Sequence, residues 1–352
     1  MWDELTSFEN LYLSYKKASK GRRSRPDIAA FEISLEKNLL ELREDLISEV
    51  YEHGKYHSFY IHDPKKRLIS AADFRDRIVH HAVVSVLEPI YEKQFLANSY
   101  ANRTGKGTHK ALNYCAKMMK KYQYYLFMDV KQFFPSIDHE ILFDLLAREI
   151  DCEKTLKLCE IILKSGEDVL GNEYEMVWFP GDDLFSILRP RGLPIGNMSS
   201  QFWANVYLHE LDLYMSHVLG VETWARYVDD LVVFSNDKGK LWNIRRETIK
   251  FLEKLRLVIH EGSAQPTPTS QGITFLGFRI FPEYARLKRQ KLINANRKIS
   301  DSLQATRNAE ITEKHFQDQL RGWLNHVRWG NTWHLRNNFL HRLGIHAWYV
   351  DE

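Results

Sequence analysis

Three carboxylates sit where a folding chain has little reason to place them. Asp129 closes the run "YQYYLFMDV" (122–130), and Asp229-Asp230 interrupts "WARYV" and "LVVFS". Acidic residues are depleted in strands, and burying one among apolar neighbours costs free energy unless it finds a partner. Three packed together repel one another unless cations neutralise them. Two Mg²⁺ ions about 3.5–4 Å apart would do so, clamping the attacking and leaving oxygens of a phosphoryl transfer; Mn²⁺ could substitute. Taken singly, Asp229-Asp230 reads as a pair of hairpin-turn residues and Asp129 as a residue at a helix N-terminus. The combination is what points to chemistry.

The elements around these acids follow from local pattern. Tyr122–Val130 is rich in aromatic, β-favouring residues and predicts a buried strand; Thr223–Ser235 reads as strand, two acids, strand, a hairpin. Apolar spacing predicts helices over Asp138–Ile150, Ser199–Leu219 and Leu241–Leu257, and Ile273–Ile280 is a further strand or hairpin. Gly166–Pro190, with Gly, Pro and Asp clusters, reads as loop. The middle of the chain therefore runs β–α–α–β–β–α–β, an α+β pattern in which a small antiparallel sheet packs on helices. Upstream, Ser34–Tyr51 and Asp73–Tyr91 read as helices and His57–Ile69 as extended. Beyond Lys288 the chain turns helical and basic.

At 352 residues, 44% hydrophobic and 27% charged, the chain is neither a disordered tail nor a collagen-like rod nor a coiled coil. No apolar run approaches the length that spans a bilayer, and Met1-Trp2-Asp3-Glu4 does not open a secretory signal. Cys115, Cys152 and Cys159 are too few for a disulfide framework, so reduced thiols and a cytoplasmic location are expected. The net charge of +3 hides an uneven distribution. Lys16, Lys17, Lys20, Arg22, Arg23 and Arg25 form an acid-free run, and residues 281–352 carry twelve Lys and Arg against seven Asp and Glu. Basic flanks around an acidic centre suit a polyanion-binding protein whose chemistry uses cations.

Four blocks, in chain order, resemble the motifs of reverse transcriptases. "FMDVKQFFPSI" (127–137) resembles the first palm motif and "GLPIGNMSSQ" (192–201) the motif that follows. "RYVDDL" (226–231) resembles the Y-x-D-D hairpin, and "ITFLGF" (273–278) the primer-grip hairpin. The resemblance covers roughly residues 55–285. It implies a right-hand polymerase with fingers (1–120), palm (121–285, with an insertion near 166–191) and helical thumb (286–352). It makes Asp129, Asp229 and Asp230 the catalytic metal ligands, with the carbonyl of Val130 facing one of two Mg²⁺ ions. For dNTP binding it implies Lys66 and Arg67, the steric gate Phe134, and Gln201; Lys65 reads equally well as solvated charge. Arg77, Ile195 and Gly196 would border the template, with Asp76 able to pair with Arg77. Tyr227, Leu276 and Gly277 would lie at the primer. Lys288, Arg289, Lys291, Arg297 and Lys298 would track the RNA–DNA duplex, while Trp323, Trp329 and Trp333 read mainly as core.

Within that family, residues 192–208 and "KGTH" (106–109) resemble the enzymes of diversity-generating retroelements, a bacterial and phage lineage. Ile195 stands where most relatives have Gln, and in that branch an apolar residue there accompanies error-prone copying of template adenines. The resemblance implies a dedicated template RNA, a cDNA product and a small helical-bundle accessory protein. The length leaves no room for RNase H, integrase or maturase segments, so dependence on partners is expected. Rival readings are a related enzyme in antiviral defence, an inactive RNA-binding scaffold, a nucleotide cyclase on a similar palm, and a DNA-templated repair polymerase.

Overall fold

In the computed structural model, which describes residues 1–62 and 65–344, the run at 122–130 forms a central strand. Nine strands and fourteen helices are named here in chain order. An N-terminal helical layer comprises α1 (Trp2–Leu5), α2 (Phe8–Ser19), α3 (Pro26–Ile33) and α4 (Leu35–Ile47). The hairpin β1 (His57–Ile61) and β2 (Arg67–Ala71) follows, then α5 (Phe74–Glu92) and α6 (Thr108–Lys121). Strand β3 (Tyr124–Asp129) leads into α7 (Phe133–Ser136), α8 (His139–Ala147), α9 (Glu153–Ser165) and the long helix α10 (Met198–Leu213). The hairpin β4 (Trp224–Tyr227) and β5 (Asp230–Ser235), helix α11 (Lys238–Lys254) and the short β6 (Thr267–Pro268) complete this region. Strands β7 (Ile273–Phe275), β8 (Phe278–Ile280) and β9 (Ala285–Leu287) precede α12 (Arg289–Arg307), α13 (Glu313–Val327) and α14 (Trp333–Arg342).

The central antiparallel sheet has the order β4-β5-β3-β6. Successive side chains on a strand point to opposite faces, and here both faces are covered. Leu126, Met128, Leu231 and Val233 join a core shared with α5, α8, α10 and α11. Tyr125, Val232 and Phe234 join a second core with Cys115 of α6 and with Phe275 and Phe278. Burial on both sides explains the unbroken apolar runs, and why a carboxylate fits only at a strand end. The outer edge of β4 is closed by residues 98–101: the Arg226 N–H donates to Asn98 O and the Tyr100 N–H to Arg226 O, each at 2.9 Å.

Helix starts match their caps. Asp138 and Asp237 accept the backbone N–H of Ile141 and Lys240, each at 3.1 Å, and so open α8 and α11. The reading Ser199–Leu219 holds for its first part; the α-helix starts at Met198 and passes into one π-helical turn at Tyr214–Val218. His57–Ile69 is a hairpin rather than one extended run, and Ile273–Ile280 is a hairpin extended by β9 into its own three-stranded sheet. Residues 166–191 are loop with two short 3-10 turns. Among the described residues no helix is long and apolar enough to cross a membrane.

The C-terminal helices pack on one another through Ile299, Phe316 and Phe339, with Trp323 against Phe339. Trp329 ties this unit to the rest, its ring against Phe278 at 4.9 Å and its Nε1–H donating to Asn113 Oδ1 at 2.6 Å. Trp333 departs from the reading as core: it is 60% exposed, because its position at the start of α14 faces away from that cluster.

Candidate active site

Strand register brings the acids together. Asp129 is the last residue of β3 and lies directly opposite Asp230, the first residue of β5. Tyr227 pairs with the same Asp230 across the hairpin, so Val228 and Asp229 are the whole turn. A two-residue hairpin favours positive φ in the turn, and Val228 carries it at +57°. Asp229 and Asp230 are half-buried. Burial pushes the Asp230 carboxyl up to about 7, and the charges of Asp229 and Asp129 add to that. Asp229 is raised as well, first by burial and then by Asp129. The positive charges of Arg67 and Lys65 pull both downward.

The site thus consists of desolvated, mutually repelling oxygen donors, a set that suits a hard divalent cation. Among the described residues no three acidic, His or Cys side chains are drawn into one ligand cluster, so the fit lies in donor chemistry and strand register. Val130 lies 6% exposed beside Asp129 and bridges to Ile259. The His260 N–H donates to Asp129 O at 2.9 Å and the Lys131 N–H to Val258 O at 2.8 Å, which fixes the end of β3 against the chain after α11.

Around the acids the expected residues separate. Phe133 is core, 2% exposed, whereas Phe134 is half-buried with its ring 5.4 Å from that of Phe133. Lys66 lies over the Tyr60 ring at 4.0 Å, while Lys65 and Arg67 carry the charges that act on Asp229 and Asp230. Lys65 lies in a bend just before β2, and its charge, like that of Arg67, bears on the acids. From sequence, Lys65 reads equally well as solvated charge.

The segment 192–197 is stitched to β2. The Ser70 N–H donates to Ile195 O at 2.8 Å, the Asn197 side chain donates to Ser70 O at 2.9 Å, and its Oδ1 accepts the Ala72 N–H at 3.1 Å. Gly196, Gln201 and Arg77 line one cleft of about 200 Å³ together with Lys17, Lys20, Arg22 and His81. Arg77 pairs with Asp27 at 3.2 Å and donates to Ala72 O. Asp76 does not pair with it; Asp76 instead accepts from the Tyr51 hydroxyl and the Gly54 N–H, since adjacent helical residues face different ways.

Tyr227 reaches Thr108 Oγ1 with its hydroxyl at 3.0 Å, which links the "KGTH" block to the hairpin. Leu276 and Gly277 form the turn between β7 and β8, both at positive φ. Lys288, Arg289, Lys291, Arg297 and Lys298 are exposed along the start of α12. One residue the sequence reading passed over is Arg226. It is 1% exposed, and it is signalled by the same argument as the acids, a charge inside an apolar strand. The 166–191 segment is pinned down by Arg189 to Asp138, Arg256 to Asp182 and Lys131 to Glu175.

Residues 61–280 match the family described as "Reverse transcriptase (RNA-dependent DNA polymerase)". Protein YkfC of Escherichia coli (strain K12) is 23% identical over 293 residues, 72% of this chain and 74% of that protein. The group II intron-encoded protein LtrA of Lactococcus lactis subsp. cremoris is 28% identical over 213 residues, 59% of this chain. A 91 kDa protein in a cob intron of Schizosaccharomyces pombe is 30% identical over 153 residues, 44% of this chain. The matches span only 33% and 17% of those two intron proteins. Apo telomerase from Candida tropicalis overlays with a TM-score of 0.48 at 12% identity, covering 71% of this chain and 53% of that one. The family match takes in the central sheet, both acid-bearing strands and the Arg77, Gly196 and Gln201 side of the cleft, and the chain belongs to the reverse transcriptases, the RNA-dependent DNA polymerases.

Proposed function

We propose that this chain copies a template RNA into cDNA by two-metal nucleotidyl transfer, with Asp129, Asp229 and Asp230 as the acids that hold the ions. The observation that carries the reading is the register of Asp129 against Asp230 at the mouth of a sheet buried on both faces. Asp129, Asp229 and Asp230, with the Val130 carbonyl, would hold two Mg²⁺. Such ions would supply Lewis acidity for the primer 3′-hydroxyl and positive charge for the α-phosphate and pyrophosphate. Arg67 and Lys65, whose charges act on the acids, hold the triphosphate together with Lys66, which rests over the Tyr60 ring. Phe134 presents its ring to the sugar and excludes a 2′-hydroxyl. Gly196, Gln201 and Arg77 border the template base. Tyr227 and the Leu276-Gly277 turn seat the primer, and the exposed Lys288, Arg289, Lys291, Arg297 and Lys298 at and along α12 follow the duplex backbone. Fingers, palm and thumb would divide at about residues 120 and 285.

A test is Mg²⁺-dependent primer extension on an RNA template, with Asp229→Ala as the control. Equal incorporation by the variant removes the mechanism. Competition between RNA and DNA templates of one sequence separates this reading from a repair polymerase.

For the subtype we favour an error-prone enzyme of the diversity-generating retroelement kind, making cDNA from a dedicated RNA with a helical-bundle accessory protein in a bacterial or phage setting. Ile195 supports it: an apolar side chain cannot make the hydrogen bonds that Gln would offer near the nascent base pair. Sequencing cDNA copied from a defined RNA tests this. Errors at template adenine no higher than elsewhere, or unchanged in Ile195→Gln, refute it and leave a defence role as the better reading.

A further inference from the structure

The turn that carries Asp229 is conformationally unfavourable as written. Val228 sits at φ +57°, and β-branched residues rarely enter that region. Something must hold it there. The Val228 carbonyl accepts a hydrogen bond from Arg226 Nη1 at 3.0 Å. That guanidinium is itself fixed on three sides. Nε and Nη2 donate to Asp212 Oδ1 and Oδ2 of α10 at 2.7 and 2.5 Å, and Nη1 also donates to Asn205 Oδ1 at 3.2 Å. Asn205 is anchored in turn by its donation to Ala101 O at 2.8 Å.

Arg226 and Asp212 are each only 1% exposed. A buried ion pair is a poor way to stabilise a fold, because desolvation largely cancels the attraction and an apolar pair of like volume often does as well. Such a pair is better explained by geometry it alone can impose. Here the planar fork of the arginine is locked by a bidentate carboxylate, and its remaining nitrogen reaches the turn two residues on.

We propose that Arg226 is a positioning residue, held by Asp212 and Asn205, that fixes the left-handed turn at Val228 so that Asp229 and Asp230 face Asp129. The inference rests on the reading of those three acids as the metal-holding set. The long helix α10 thereby sets the position of the acids through one guanidinium. Lysine at 226 keeps the charge for Asp212 but cannot span both the carboxylate and the Val228 carbonyl. Glycine at 228 enters positive φ freely and has less need of the hold.

The test uses the full chain in Mg²⁺-dependent primer extension, with melting curves recorded alongside. Arg226→Lys is expected to lower kcat about tenfold to a hundredfold, the range for losing a hydrogen bond from a charged donor. The KM for dNTP should change by less than about twofold, because the proposed triphosphate contacts lie at the start of β2 and just before it, away from Arg226. Half-saturation should need more Mg²⁺. Adding Val228→Gly to Arg226→Lys should recover most of the loss in kcat, which a merely structural role would not produce. If Arg226→Lys does not fold, Asn205→Ser loosens the same guanidinium while sparing the ion pair, and its loss should also be recovered by Val228→Gly. An unchanged kcat in the folded variants, or a loss that Val228→Gly leaves untouched, overturns the proposal. Asp229→Ala separates the two levels. If it stays active, the reading of the acids fails; if it is dead while Arg226→Lys is unaffected, only the positioning role fails.

Discussion

Alanine at Gly196 should damage the protein in a way that can be worked out from one backbone angle and four distances. The backbone there runs at φ +121°, and a Cβ would lie 3.1 Å from Ile69 Cγ2. Relaxation is limited on the loop side. Asn197 donates to Ser70 O at 2.9 Å and Pro194 O at 3.0 Å, and the Ser70 N–H holds Ile195 O at 2.8 Å. Holding a non-glycine residue in such a region costs about 1–3 kcal/mol, and the overlap with half-buried Ile69 adds about 1 kcal/mol at most, since that side chain can shift. Gly196→Ala should therefore lose about 1–4 kcal/mol in urea denaturation, or raise the KM for dNTP if the loop yields instead of the fold. A double variant with Ile69→Ala separates the two causes: it relieves the overlap but not the φ, so only a minor part of the loss should return. A Gly196→Ala protein within about 0.5 kcal/mol of the parent, with unchanged KM, would refute the reasoning.

Three further outcomes follow from the site. Lys65→Ala should raise the KM for dNTP more than Lys66→Ala does, because the charge of Lys65 acts on Asp229 and Asp230 while Lys66 rests on Tyr60; steady-state kinetics on both variants decides it. Phe134→Ala should reduce discrimination against ribonucleotides by about tenfold or more, measured as the ratio of kcat/KM for dNTP and rNTP, because a single steric contact is worth about 1–3 kcal/mol. The contact between Arg256 and Asp182 should be sensitive to acid. Hydrogen bonds from Arg256 and from the Phe179 N–H hold the Asp182 carboxyl at about 2 against an ordinary 3.8. A depressed folded value stabilises the fold fully above the ordinary value, and the gain disappears as pH falls through the folded one. Asp182→Asn should therefore have a lower denaturation midpoint than the parent at neutral pH. That gap should close between pH 3.8 and about 2; a gap independent of pH would assign the effect to packing.

Legibility in the sequence followed the range of the interaction. The strand at 124–129 and the hairpin at 224–235 were readable because apolar runs and a two-residue acidic break are local patterns. The start at Asp138 matches the cap of α8, whereas α11 begins before the expected Leu241, since Asp237 caps at a position that apolar spacing alone does not mark. Strand β6, only two residues long, has no pattern of its own; it exists because β3 offers an unpaired edge. Lys65 read equally well as solvated charge, and only the folded chain brings its charge to bear on Asp229 and Asp230. The alternative pairing of Arg77 with Asp76 fails because Asp76 is next to it only in sequence, whereas Asp27 is next to it in space.

The sequence by itself determined the family, the three acids and the turn that exposes two of them, because those rest on residue type and short spacing. What faces what was decided by the tertiary structure. Asp129 meets Asp230 only through pairing of strands about a hundred residues apart. Arg226 becomes a clamp only because α10 brings Asp212 and Asn205 beneath the hairpin. A carboxylate's identity is local, but its partners, its desolvation and the direction in which its proton affinity moves are properties of the packed chain.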